Sequence, residues 1–208
     1  PRSPRNVKER GLLKTNEDRA IARQFGQEFF DGDRKYGYGG HYYDQKYWKP
    51  VVLDFFSEYG LGVGSSVLDV GCAKGFMLRD FKEFEPGLII AGADVSEYAV
   101  EHADELVKPY LYIENAKSLP FQDNSFDLVI CINTVHNLAL DECGQALQQI
   151  QRVTKGNAFV VVDAYRTEEE RHRIQAWNLT AQTIMHTNEW VCFFDEVGYT
   201  GDYYWFFP

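Results

Sequence analysis

Apolar residues along this chain follow two rhythms. Short β-branched-rich runs bounded by turn residues recur at 67–70, 88–94, 111–114, 126–133 and 158–163. Between them lie longer stretches in which apolar positions return every three or four residues. Buried strands give the first rhythm and amphipathic helices the second. Asn16 is placed to cap a helix carrying Ile21, Phe25 and Phe29, which either packs across the main domain or faces a partner. Val52, Phe55, Phe56 and Tyr59 make a second stripe, with Pro50 suited to its first turn and Gly60 to its stop. Phe76, Met77, Phe81 and Phe84 make a third. Ser96 would cap a helix carrying Ala99, Val100, Ala103, Leu106 and Val107, and Asp141 one carrying Ala146, Leu147, Ile150 and Val153. A helix from Asn188 through Val191, Phe194 and Val197 ends at Gly198, and residues 203–207 read as a strand. Strands alternating with helices predict an α/β fold, a doubly wound and mostly parallel sheet. The span 167–187 is not assigned, apart from a charged helical turn at 168–173.

Two units follow from this pattern. Residues 1–49 hold a polar, basic tail to about Lys14, the first helix and a tyrosine–glycine segment; residues 50–208 hold the sheet domain and a C-terminal cap over the substrate side. The chain's 208 residues suffice for one well-buried domain. Hydrophobic residues at 45% and charged residues at 25% fit a soluble globular protein, and no apolar run reaches membrane-span length. A net charge of -10 argues against a nucleic-acid backbone as the main partner. Cys72, Cys131, Cys143 and Cys192 form no C-x-x-C, so a reduced, cytoplasmic setting is expected, without a zinc site or disulfide framework.

The chemistry concentrates where strands end. Val67-Leu68-Asp69-Val70 runs into Gly71-Cys72-Ala73-Lys74-Gly75 and then a helix. Gly71 and Gly75 let the backbone turn without a side chain between it and a ligand, and the helix start aims unpaired N–H groups at the turn. Asp69, two residues before the first glycine, would repel a phosphate and suits a ligand with an amino group and a sulfonium. Asp94 closes the second strand and would accept from both hydroxyls of a ribose, in either a nicotinamide cofactor or a sulfonium nucleoside. Asp163 closes the fifth strand; His136 follows the fourth, where α/β sheets place ligands.

The glycine turn with its preceding acid resembles motif I of the class I S-adenosylmethionine-dependent methyltransferases, whose usual form has glycine where Ala73 stands. Leu119-Pro120-Phe121 followed by Asp123 and Ser125-Phe126-Asp127-Leu128-Val129 resembles the L-P-F…D-x-S-F-D-L-V signature of the same family. The resemblance covers roughly residues 50–165. It implies a Rossmann-like fold with an N-terminal helical lid, S-adenosylmethionine as cofactor, and in-line methyl transfer. Asn115 would receive the adenine amino group, Ala116 would offer its N–H to the ring, and Asn133 would border the methionine end. With Tyr38, Asp69, Gly71, Ala73, Gly75, Asp94 and Val95 these are the expected cofactor residues. Asp127 is expected to hold a turn.

The tyrosine–glycine segment 36–43 is either a lid whose rings attract a sulfonium and exclude water, or a surface loop anchored by tyrosines. His136 is either a general base or a loop-shaping histidine, and Asp163 either accepts a substrate proton or binds a cationic amine. Arg166 clamps an acidic substrate group or pairs with Asp163. His41, Asn137, Tyr165, Arg166 and Trp205 are the acceptor-side candidates, the acceptor being a small molecule; no metal is expected. The alternatives are a catalytically silent cofactor-binding scaffold and non-methyl chemistry on the same cofactor. The family's sheet usually closes with an antiparallel hairpin, for which too few residues remain; one strand is missing, displaced or near 180–185. Residues 202–205 would wall the pocket, or be buried, or make a homodimer contact.

Overall fold

The computed structural model describes residues 14–207; the polar tail expected over 1–13 lies outside them. The sheet is built from β1 (Ser66–Val70), β2 (Ile89–Asp94), β3 (Leu111–Ile113), β4 (Phe126–Ile132), β5 (Thr154–Tyr165), β6 (Met185–His186) and β7 (Asp202–Phe206). Their order is β3-β2-β1-β4-β5-β6, with β7 also paired to β5, and every pairing is parallel. The expected antiparallel hairpin is therefore replaced. β6 is a two-residue strand at the carboxyl end of β5, and β7 runs parallel along 159–163. β5 is twice as long as the apolar run that predicted it, because Thr154 to Asn157 extend the ladder with β4 despite being polar.

β1 is buried along its whole length and sends alternate side chains to the two faces. Val67 joins Leu128 and Ile130 against Val52 and Phe55 of α3 (Gln45–Tyr59) and Leu78 and Phe81 of α4 (Phe76–Phe84). Leu68 and Val70 join Val129, Val160 and Val162 against Leu147 and Ile150 of α6 (Leu140–Val153) and Trp190 and Phe194 of α8 (Thr187–Val197). Two apolar cores on two faces are what a doubly wound sheet requires. At the opposite end from the strand tips, Asp127 accepts from the Ser66 N–H and hydroxyl and from Lys155, tying β1, β4 and β5 together.

Several boundaries differ from the sequence pattern, each for a local reason. The first helix is two: α1 (Asn16–Ala22) and α2 (Gln27–Phe30). Thr15, not Asn16, is the cap, in a reciprocal box with Asp18. The break falls at Phe25, whose φ of 49° turns the chain so that its carbonyl accepts from the Ser96 hydroxyl. α3 starts five residues before the expected Pro50, because the Asp44 carboxylate caps the Lys46 N–H; Pro50 sits inside the helix. α5 (Glu97–Glu101) is short: Ser96 caps it as expected, but Asp104 takes the Leu106 N–H into a turn before Val107. Asp141 does not cap α6; Ala139 holds that position and Asp141 lies in the first turn, where its charge faces free N–H groups. α7 (Glu168–Trp177), capped by Thr167, runs a full turn past the charged stretch and buries only Ile174.

Candidate functional site

A cavity of about 520 Å³ opens at the carboxyl ends of β1, β2, β4 and β5, beneath α1 and α2. Its floor begins at the glycine turn. Gly71 has φ 82°, and a Cβ there would lie 2.0 Å from the Thr134 hydroxyl, so glycine is required twice over. Ala73, in the middle, has φ 49°, a conformation costly for any side chain. It is held there because its N–H donates to Asp94 Oδ2 at 2.7 Å. Ala73→Gly is therefore expected to raise stability by about 0.5–1 kcal/mol without moving the turn, measured by urea unfolding.

Asp94 takes that bond with one oxygen and the Ser96 N–H, 2.8 Å away, with the other. Burial pushes its carboxyl up, and the three N–H groups of Ser96, Ala73 and Val95 hold it back. It lines the cavity together with Gly71, Ala73 and Val95. Asn115 and Ala116 line the same side; the Asn115 carboxamide accepts from the Lys117 N–H. Asp69 is 4% exposed and set back from the wall, and no hydrogen bond among the described residues reaches its carboxylate. Burial, with Asp94 nearby, pushes it up to about 8. Gly75 supports from behind: it starts α4 and packs against Val107.

The far end of the cavity is made by β4, β5 and the loop after α7. His136 and Asp163 face each other there, 4% and 7% exposed. The Asp163 main-chain N–H donates to His136 Nδ1 at 3.1 Å, which leaves the imidazole proton on Nε2, 3.8 Å from Asp163 Oδ1. Burial lowers the His136 pKa against the pull of Asp163, and burial raises that of Asp163 against the pull of His136. The ring is thus neutral, with its free edge a donor toward the carboxylate. Trp190 fixes the strand end by donating to the Asp163 carbonyl. Asn133 (φ 56°) and Asn137 complete this wall.

The remaining sequence candidates lie elsewhere. Arg166 pairs with Glu170 rather than Asp163 and lies over Phe207. Tyr165 packs edge-on against His186. Trp205 stacks on Phe194, and Phe206 is the β7 residue that reaches the cavity. Of the tyrosine–glycine segment, Gly37 and Tyr38 line the cavity. His41 instead packs between Tyr38 and Phe76, where burial lowers its pKa to about 4.

Sequence reasoning passed over three features. Glu114 lines the cavity at the end of β3, and the signal used for Asp69 and Asp94 would have found it. Lys74, inside the glycine turn, is 5% exposed and donates to both oxygens of Asp31 and to the His41 carbonyl. Tyr98 and the His41 N–H also donate to Asp31. Burial alone would raise the Asp31 carboxyl, but these donors hold it at about 2. Arg23 and Arg34 reach the cavity from the N-terminal segment. Nothing in the local pattern marks them, because the break at Phe25 aims them. Among the described residues no His, Cys, Asp and Glu group suits a metal ion, and no helix is long and apolar enough to cross a membrane.

Residues 68–162 match a family described as a methyltransferase domain. A sterol 24-C-methyltransferase of Schizosaccharomyces pombe is 28% identical over 168 residues, 70% of this chain and 43% of that protein. A tRNA (carboxymethyluridine(34)-5-O)-methyltransferase of Arabidopsis thaliana is 26% identical over 144 residues, 68% of this chain and 33% of that protein. The chain thus spans between a third and a half of the length of these curated relatives. The YcgJ protein of Bacillus subtilis shares the fold, with a TM-score of 0.56 and 19% identity over 70% of this chain and 66% of that one. A parallel seven-stranded sheet of the Rossmann-like methyltransferase fold, a glycine turn answered by Asp94, and the match over residues 68–162 together identify a methyltransferase domain in this chain.

Proposed function

We propose that the chain transfers a methyl group to a small-molecule acceptor held in the cavity beside the cofactor. One observation carries this reading: a single cavity joins Gly71, Asp94 and Asn115 to His136 and Asp163. The residues fit S-adenosylmethionine. Asp94 keeps lone pairs free for a ribose, Gly71 leaves the backbone bare, and Asp69, just behind the wall, is a buried acid that a nearby cation would ionise. When bound, that cofactor supplies a methyl group already activated by its sulfonium. The chain's own task is to align the acceptor and exclude water, and orientation of this kind is worth about 7–11 kcal/mol of barrier. In this reading Asp163 takes a proton from the acceptor, which is supported by the His136 Nε2–H turned toward its carboxylate and by the N–H of Trp190 holding its carbonyl. In this reading the N-terminal segment through Tyr38 is the lid.

A cavity of about 520 Å³ lies within the usual range for small-molecule sites. The net charge of -10 opposes a polynucleotide acceptor, although two relatives bear the name of a tRNA methyltransferase. Calorimetry with S-adenosylhomocysteine tests the cofactor half. Saturable binding is expected, weakened at least tenfold in Asp94→Ala, and no binding would end the reading. Incubation with methyl-labelled cofactor and a mixture of small metabolites, against total tRNA, tests the acceptor half. Label found only in the RNA would overturn the small-molecule acceptor.

A further inference from the structure

The N-terminal segment brings guanidinium groups to the cavity of an acidic protein, and Arg23 stands at the acceptor end. Its Nε donates to the Thr180 carbonyl at 3.3 Å. The loop it touches is tied to the acceptor wall. Gln182 and Thr183 both donate main-chain N–H groups to the His136 carbonyl, and the Gln182 carboxamide donates to the Asn137 main-chain carbonyl. Arg23 therefore belongs to the His136–Asp163 half, whereas Arg34 donates to the carbonyls of Gly37 and Tyr38, near Asp94. The chain has 31 acidic residues, yet Arg23 has no ion-pair partner among the described residues, while nine other lysines and arginines do. One main-chain bond fixes the Arg23 stem and leaves the planar fork of its two terminal nitrogens to be used. Such a fork matches a carboxylate or phosphate two bonds at a time. Lys14, which donates to the Trp177 carbonyl, brings a second positive charge to the same cavity. Phe25, Phe29 and Trp177 add flat apolar surface to the cavity, and Lys14 lies over the Trp177 ring.

Building on the proposed methyl transfer, we infer that the acceptor is an anion, bearing a carboxylate or a phosphate that docks on Arg23. The charge at the other end of this half works in the same direction. Asp163 repels an anion, so an acidic acceptor enters with its charge toward Arg23 and its opposite end toward the reacting side. A neutral acceptor would gain nothing from either group.

The test uses the full chain saturated with S-adenosylhomocysteine and three probes of one shape: benzoate, phenyl phosphate and neutral benzamide, each titrated by NMR. At least one anion is expected to bind ten or more times tighter than benzamide, and whichever anion binds tighter names the group. Arg23→Gln should abolish the preference, and Arg23→Lys, which keeps the charge, should restore most of it. Neither should change the affinity for S-adenosylhomocysteine. If Arg23 only pins α1 to the 178–182 loop, both variants will alter all three probes alike, and the inference fails. It fails equally if benzamide binds as well as the anions, or if neither anion gives a saturable shift. Absence of S-adenosylhomocysteine binding at the outset would instead overturn the cofactor reading on which this rests.

Discussion

Asp69→Asn is expected to stabilise the free chain at neutral pH while weakening cofactor binding. Burial, with Asp94 nearby, puts the Asp69 carboxyl at about 8, against 3.8 for an unperturbed aspartate. The sign follows from which state holds the proton. Between pH 4 and 8 the unfolded chain has lost it and the folded chain keeps it, so stability falls as pH rises across that window. By pH 7 the accumulated cost is about 4 kcal/mol. Asparagine carries no such cost, so urea midpoints of the two proteins should coincide near pH 4 and diverge by pH 7.5, the variant being the more stable. Cofactor binding should move the other way. A cation beside Asp69 favours the ionised carboxylate, so below pH 8 binding expels a proton, and affinity should tighten as pH rises from 6 to 8. Calorimetry in buffers of different ionisation enthalpy reads the proton directly. In the variant the proton release should vanish and affinity fall by about 10- to 100-fold, or about 1.4–2.7 kcal/mol. Equal affinities with unchanged proton release would show that Asp69 does not meet the cofactor's charge.

What could be read from the sequence divides along physical lines. The central strands were legible because both faces of β1, β2, β4 and β5 are buried, which demands unbroken apolar runs whatever surrounds them. The glycine turn was legible because Gly71 and Gly75 must adopt positive φ, a constraint written into residue type. Asp94, Asn115, Ala116, Asn133, His136 and Asp163 all line one cavity because a strand's end fixes where its last residues point. What escaped depends on chain reversals. Nothing in the residues around Phe25 announces a positive φ, yet that turn carries Arg23 and Arg34 to the cavity. His41 and Trp205 were assigned to the acceptor by residue type, and their neighbours turn out to be Phe76 and Phe194. The last strand was legible over 203–207, but its parallel pairing escaped, because β7 holds its register through contacts with β5 and α8 rather than through a pattern of its own.

Lys74→Met should release the N-terminal segment from the cofactor loop while leaving the sheet intact. The ammonium is buried, lies 2.7 and 3.0 Å from the two Asp31 oxygens, and reaches the His41 carbonyl at 3.1 Å. Methionine matches its length and keeps the apolar contacts, but leaves Asp31 with two donors, Tyr98 and the His41 N–H, in place of a full charge. Removing one partner of a buried pair costs about 3–5 kcal/mol, and the 18% exposure of the Asp31 side chain puts this case near 3. The cost falls on opening the segment, since α2 and the loop to His41 meet the sheet domain through this cluster. Amide exchange over residues 27–43 should therefore quicken by about 100-fold, with β1 and β4 unchanged. The pair also has an acid signature. Held at about 2, Asp31 contributes stability that is fully present above the ordinary aspartate range and is lost as pH falls through 2. The variant should show a shallower loss over that interval. Asp31→Asn in the same background removes the stranded charge and should recover part of the protection. Because Tyr38 and the glycine turn line the same cavity, opening should also weaken S-adenosylhomocysteine binding. Weakened binding with undiminished protection over 27–43 would mean that Lys74 acts on the glycine turn directly and not through the segment above it.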